Sequence, residues 1–191
     1  MTQAITRKPE TFRWTLDAYR TAWEADIFGD AEYELIDGEL FVVGSASPEH
    51  QWLIDLLRKY LELRLSGKSV IVREEKTIFI NENSTPEPDI SVVKDKNYFK
   101  AYPRPEDIYL AIEVANTHTE TATRKKKKIY AQAGIPQYWV YDIKRETFRV
   151  YDNPRDGEYR ERLMQDGALD LLGTNIPVGD LLKLMSEGEI Q

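Results

Sequence analysis

Apolar residues recur along this chain with two periods, and the switching between them predicts a mixed order of helices and strands. Over residues 15–24 the apolar positions Leu16, Tyr19 and Trp23 fall three and four apart, the spacing of one helix face. The run Tyr33-Glu34-Leu35-Ile36-Asp37-Gly38-Glu39-Leu40-Phe41-Val42-Val43 then sets Asp-Gly between two apolar stretches. That pair predicts a tight β-hairpin, because glycine accepts the positive φ such a turn requires. Ser47-Pro48-Glu49 opens a second helix. Serine can accept from free backbone N–H groups, proline fits the first helical position, and glutamate suits the positive end of the helix dipole. Leu53, Leu57, Tyr60 and Leu61 form its apolar stripe, and Gly67 stops it.

Further on, strands are expected at residues 69–72, 77–80, 89–93 and 109–114. A helix is expected over about 121–133, closed by Gly134 with Pro136 beyond it. A strand at 137–141, a C-terminal hairpin of 148–151 with 159–163, and a short helix at 178–185 complete the order. Such an order predicts an α/β or α+β fold with a central sheet flanked by helices.

Composition narrows the chemistry. The chain has 191 residues, 41% of them hydrophobic, which suits one domain over 1–191 with a core at about 12–165. No window approaches the ~18 apolar residues that span a bilayer. The first ten residues lack the apolar stretch of a secretory leader, so no membrane partner is expected and the expected compartment is cytoplasmic. Cysteine is absent, which excludes disulfides and thiolate zinc sites. His50 and His118 are the two histidines, too few for a multi-histidine centre. A metal must then be held mainly by oxygen, which points to Mg²⁺ or Mn²⁺. The net charge of −7 counts against a nucleic-acid packaging protein, yet it is compatible with an enzyme whose site gathers carboxylates.

Three features could carry that chemistry. Pro86-Glu87-Pro88-Asp89 pins the backbone at a strand entrance and sets Asp89 at its lip; the plain alternative is a loop-end residue. Glu113 sits inside Tyr109-Leu110-Ala111-Ile112-Glu113-Val114, where a carboxylate is costly unless compensated. Alternation places Tyr109, Ala111 and Glu113 on one face, and a structural ion pair is the competing reading. Arg124-Lys125-Lys126-Lys127-Lys128 is ordinarily a solvated face. Counting back from Ile129, Tyr130 and Ala133 puts Lys126 inward, Lys125 near the edge, and Lys127 and Lys128 outward. Two carboxylates and one ammonium suit metal-assisted phosphodiester hydrolysis.

Together with His50 at the opening of its helix, Pro88-Asp89-Ile90, Ile112-Glu113-Val114, and a helix from Lys126 closing on Ala133-Gly134-Ile135-Pro136-Gln137-Tyr138-Trp139, the chain resembles the PD-(D/E)XK superfamily, specifically its Uma-type endonucleases. The resemblance covers about residues 12–165. It implies the restriction-endonuclease-like fold and a Mg²⁺- or Mn²⁺-dependent endonuclease acting on DNA. It implies Asp89, Glu113 and the Val114 carbonyl as metal ligands, Lys126 as the catalytic lysine, and Glu34 as an accessory carboxylate. Two positions depart from the pattern. Ala115 stands where the superfamily's lysine usually lies, and Ala122 stands where an aspartate usually precedes the lysine by four; the loop Asn116-Thr117-His118-Thr119 is also altered. A nuclease-fold protein that binds or regulates without cutting is the rival reading, and a structural interaction domain is the third. A homodimer is expected for cutting two strands, with Tyr151, Tyr159 and Leu163 as its candidate contact.

Overall fold

The computed structural model describes residues 11–44, 46–115 and 120–188; residues 1–10, 45, 116–119 and 189–191 lie outside the described residues. After a first helix, α1 (Leu16–Glu24), the hairpin β1 (Tyr33–Ile36) and β2 (Glu39–Val42) forms as the Asp-Gly signal predicts. Asp37 and Gly38 take φ of 50° and 72°, the doubly positive turn that matches strand twist. Gly38 is also required sterically, since a Cβ there would lie 2.8 Å from the Cβ of Arg13.

Helix α2 (Pro48–Arg64) begins on the Ser47 hydroxyl, which accepts from the His50 backbone N–H at 3.2 Å. A six-stranded mixed sheet follows in the order β3 (Val70–Glu74), β4 (Ile90–Lys94), β5 (Ile108–Ala115), β6 (Gln137–Asp142), β7 (Thr147–Arg155), β8 (Glu158–Met164). Only β5 and β6 are parallel, because α3 (Glu120–Gln132) crosses over between them; every other neighbour in the sheet is antiparallel. The chain ends in the hairpin β9 (Ala168–Leu171) and β10 (Thr174–Pro177) and helix α4 (Val178–Glu187).

Two apolar layers sandwich the sheet. On one face Leu57 and Leu61 of α2, Leu181 and Leu184 of α4, and Leu169 of β9 pack against Ile90, Leu110, Ile112, Trp139 and Val150. On the other, Ile129 and Tyr130 of α3 and Ile36 of β1 pack against Ala111, Ala115, Tyr138 and Tyr151. No helix among the described residues is long and apolar enough to cross a membrane.

Three expectations need correction, and one element was not foreseen. Residues 77–80 are not a strand. Their N–H groups do reach out, Ile78 to the Pro86 carbonyl at 3.0 Å and Phe79 to the Pro103 carbonyl at 2.9 Å, but a segment holding Pro86 and Pro88 lacks the N–H groups to return a ladder. Strict alternation in β5 fails at Tyr109. The register slips between Val92 and Val93, from Leu110 to Ile108, so Tyr109 is a bulged residue and packs with Leu110 on the α2 face. The β9–β10 hairpin was not expected. Finally, Tyr151 and Tyr159 serve the chain's own core: Tyr151 stacks on Tyr138, and the Tyr159 hydroxyl donates to the Ile135 carbonyl at 2.7 Å. Of the three residues proposed for a dimer contact, Leu163 alone is exposed.

The β7–β8 pair is tied by Asp152, which accepts from Arg160 at 2.7 Å and from Arg162 at 2.5 Å. Burial would raise its pKa, but the two guanidiniums outweigh burial and hold it below the ordinary 3.8. A lowered carboxyl contributes stability above its unfolded value and loses it as pH falls through the folded one. Asp152→Asn is therefore expected to cost about 1–2 kcal/mol at neutral pH. The gap to the parent in urea melts should close as pH drops below 3.8.

Candidate functional site

The site lies where β4 begins and β5 ends. Ile90 pairs with Ile112 in the antiparallel register, so Asp89, one residue earlier, comes opposite Glu113. The Asp89 carboxylate reaches across and accepts from the Val114 backbone N–H at 2.6 Å. Its preceding prolines set up this lip. Their missing N–H groups leave the segment bonded through carbonyls, with the Asp89 carbonyl accepting from Glu75 N–H at 3.0 Å.

Glu113 is 7% exposed and Lys126 3%. The Lys126 ammonium donates to Glu113 at 2.9 Å and to the Glu87 carbonyl at 3.1 Å, and it lies 2.8 Å from Glu34. The inward count on α3 thus matches the coordinates for Lys126. Lys125 lies outside it, 3.0 Å from Glu39 of the hairpin, and Lys128 is exposed. Lys127 departs from expectation. It lies over the Tyr151 ring at 5.0 Å and 3.7 Å from Glu161. Helix α3 crosses β7 and β8 as well as β5, so its inward face is wider than a single stripe. Ala122, at the position of the missing aspartate, packs into the apolar layer; Glu34, Glu113 and the Glu87 carbonyl orient Lys126 instead.

Electrostatics in this cluster are lopsided. Burial pushes the Glu113 carboxyl well above its usual range; Lys126 pulls it back, and Asp89 and Glu34 push it further up. Burial raises Glu34 too, against the pull of Lys126. For Lys126 burial alone would lower the pKa, but Glu113 and Glu34 overcome it and hold the ammonium firmly charged. One cation therefore faces three carboxylates, with Glu75 close behind.

Two residues not assigned from the sequence join Asp89 on its outer side. His50 Nε2 is 3.4 Å from Asp89, and one donor atom each of His50, Glu75 and Asp89 lie within 4.8 Å of one another. The hydrogen bond to Asp89 raises the His50 pKa against burial, while burial and then Asp89 raise Glu75. Glu75 holds φ of 45°, a left-handed conformation uncommon for glutamate, at the end of β3. No sequence signal marks Glu75, since Arg73-Glu74-Glu75-Lys76 reads as ordinary surface. His50 had one: a histidine in the first turn of a helix that packs on the sheet. The donor set of two carboxylates with one imidazole fits a divalent cation.

Comparison with known proteins agrees with this architecture. The model of the Uma2 family, described as "Putative restriction endonuclease", matches residues 17–179. A solved structure from Anabaena variabilis ATCC 29413, described as a "putative nuclease belonging to DUF820", superposes with a TM-score of 0.69 at 15% identity. The match covers 90% of this chain and 98% of that one, and at that identity it speaks for the fold alone. No curated protein matches the chain. The restriction-endonuclease-like fold implied by the resemblance is the one observed, and with its family model spanning most of the sequence, the chain belongs to the Uma2 family.

Proposed function

We propose that this single domain is a divalent-metal-dependent endonuclease that hydrolyses phosphodiester bonds of DNA. The observation that carries the reading is the buried Lys126, clamped between Glu113 and Glu34 beside Asp89 with negative charge left over. A purely structural ion pair would balance its charges; this set leaves negative charge that a bound divalent cation would offset. Asp89 and Glu113, with the Val114 carbonyl, are the proposed ligands, and His50 and Glu75 stand next to Asp89 as further donors. A bound Mg²⁺ or Mn²⁺ would polarise the phosphate and lower the pKa of a water. The chain's own groups do the rest. Val114 N–H fixes the Asp89 carboxylate, Glu34 holds Lys126 charged and in place, and Lys126 offers positive charge to phosphoryl oxygens as negative charge develops. Cutting both strands of a duplex calls for two such sites, one in each copy of a homodimer. Leu163, exposed on edge strand β8, is the proposed contact for that pairing.

Calorimetric titration with Mn²⁺, followed by cleavage assays on duplex and single-stranded DNA, tests the reading. One ion bound per chain and cleavage that stops with chelator are expected. Ion binding with no cleavage of any nucleic acid would replace the enzyme by a nuclease-fold binding protein. No ion binding would leave a structural interaction domain.

A further inference from the structure

The sheet face that carries Glu113 continues sideways into a second feature. The register runs from Glu113 on β5 to Val140 on β6 to Arg149 on β7. Two strand spacings separate Glu113 from Arg149, about 10 Å at ~4.8 Å each. Between this row and α3 lies a cavity of about 350 Å³, within the size range of small-ligand pockets. Four cations line it, Arg124 and Lys127 from α3, Arg145 from the β6–β7 turn and Arg149 from β7, together with two carboxylates, Glu120 and Asp142.

Their counter-charges are loose. Arg149 and Lys127 share Glu161 at 3.6 and 3.7 Å, and Arg124 stands 4.0 Å from Glu120. Such long, partly solvated pairs hold little energy and exchange readily for a better anion. Arg145 is different. Asp142 accepts from its guanidinium at 2.6 Å and from its backbone N–H at 2.9 Å, which fixes the turn at the cavity mouth. In a chain of net charge −7, four cations against two carboxylates leave this cavity a local positive excess. Val140 and Tyr151 add an apolar wall.

We infer that this cavity binds one nucleotide of the substrate strand, with its phosphate on Arg145 and Arg149 and its sugar and base against Val140 and Tyr151. The inference rests on the nuclease reading for the direction in which the strand continues, toward Asp89, but not for the binding itself. A nucleotide stacked and paired in a duplex cannot enter a cavity between a helix and a sheet, so the pocket takes one from a single strand or one flipped out of the duplex.

The test is fluorescence anisotropy of a labelled single-stranded oligonucleotide in EDTA across a salt series, with Arg145→Gln, Arg149→Gln and the double variant. Lys183→Gln on α4, on the opposite face, is the control. The double variant is expected to lose about tenfold in affinity or more, and the salt slope should fall by roughly 0.7 for each arginine–phosphate pair removed. Arg149→Lys should restore much of the slope, which shows that charge rather than folding was at stake. Deoxynucleoside monophosphate should displace the oligonucleotide at lower concentration than inorganic phosphate. Equal losses in the control, or an unchanged slope, would overturn the site; equal competition by inorganic phosphate would overturn the nucleotide assignment. Mn²⁺ titration of the same variants separates the two readings. Retained ion binding together with weakened oligonucleotide binding supports the pocket, whereas oligonucleotide binding that persists in every variant removes it whether or not the metal site holds.

Discussion

Lys126→Ala is expected to lower turnover at saturating substrate by about 10² to 10³, the loss seen when one preorganised stabilising group is removed. Ion binding should survive, since an ammonium is not a ligand. The same change should be costly to the fold. It leaves Glu34 and Glu113 buried without their shared counter-charge, a situation worth on the order of 3–5 kcal/mol. That cost depends on pH in a definite direction. Burial already holds both carboxyls above the ordinary 4.5, and the lysine is what pulls them back. Without it they rise further, so the folded protein keeps protons that the unfolded chain has released. Stability then falls as pH rises above 4.5. Urea melts should show a larger deficit at pH 8 than at pH 5, and a deficit that is flat across this range would remove the charge-balance account. Lys128→Ala is the comparison. Lys128 is exposed on α3, so only salt-dependent binding should weaken. Equal effects of the two changes on turnover would reduce the lysine run to a basic patch.

Asp89→Asn is expected to abolish measurable Mn²⁺ binding and to reduce cleavage by more than the Lys126 variant does. Asp89 is the residue common to the proposed ligands Glu113 and the Val114 carbonyl and to the group it forms with His50 and Glu75. Asparagine keeps an oxygen to accept from Val114 N–H, so the strand ends should stay joined while the anionic ligand is lost. Calorimetry on Asp89→Asn, Glu113→Gln and Glu75→Gln ranks the donors. If Asp89→Asn binds Mn²⁺ like the parent, Asp89 is only a cap for Val114 and the metal assignment must move.

The elements of this fold were legible wherever a local pattern determined them. Asp37-Gly38 specified its turn because few dipeptides tolerate two positive φ values. The helical count on α3 placed Lys126 inward because Ile129 and Tyr130 fix the phase of the stripe. What stayed hidden depends on contacts between distant segments. Residues 77–80 are apolar enough for a strand, and only the prolines of the facing segment prevent one. The Tyr109 bulge follows from a register shift against β4 that nothing in β5 announces. In the β9–β10 hairpin, Leu172 carries φ of 58°, a conformation more typical of asparagine or glycine, so the turn was masked at its first residue although Gly173 marked the second. Glu75 reaches Asp89 through a strained backbone at the end of β3, and charge pattern alone does not reveal it. Lys127 was misplaced because the width of a helix's buried face is set by how many strands it crosses.

The β1–β2 hairpin forms its own two-stranded sheet, apart from the six-stranded one. Beyond its apolar contacts it is moored by the Leu35 carbonyl to Thr85 N–H at 2.8 Å, by Gly38 N–H to the Asn83 carbonyl at 2.8 Å, and by its carboxylates on Lys125 and Lys126. Glu113 and Lys126, by contrast, sit thirteen residues apart in one strand–crossover–strand unit, so their contact closes a short loop at a small entropic cost. Glu34 joins ninety-two positions before Lys126, across a much longer loop. The charge cluster is therefore complete only when the hairpin has docked. Native-state opening should release the hairpin as a subglobal unit while the crossover stays closed.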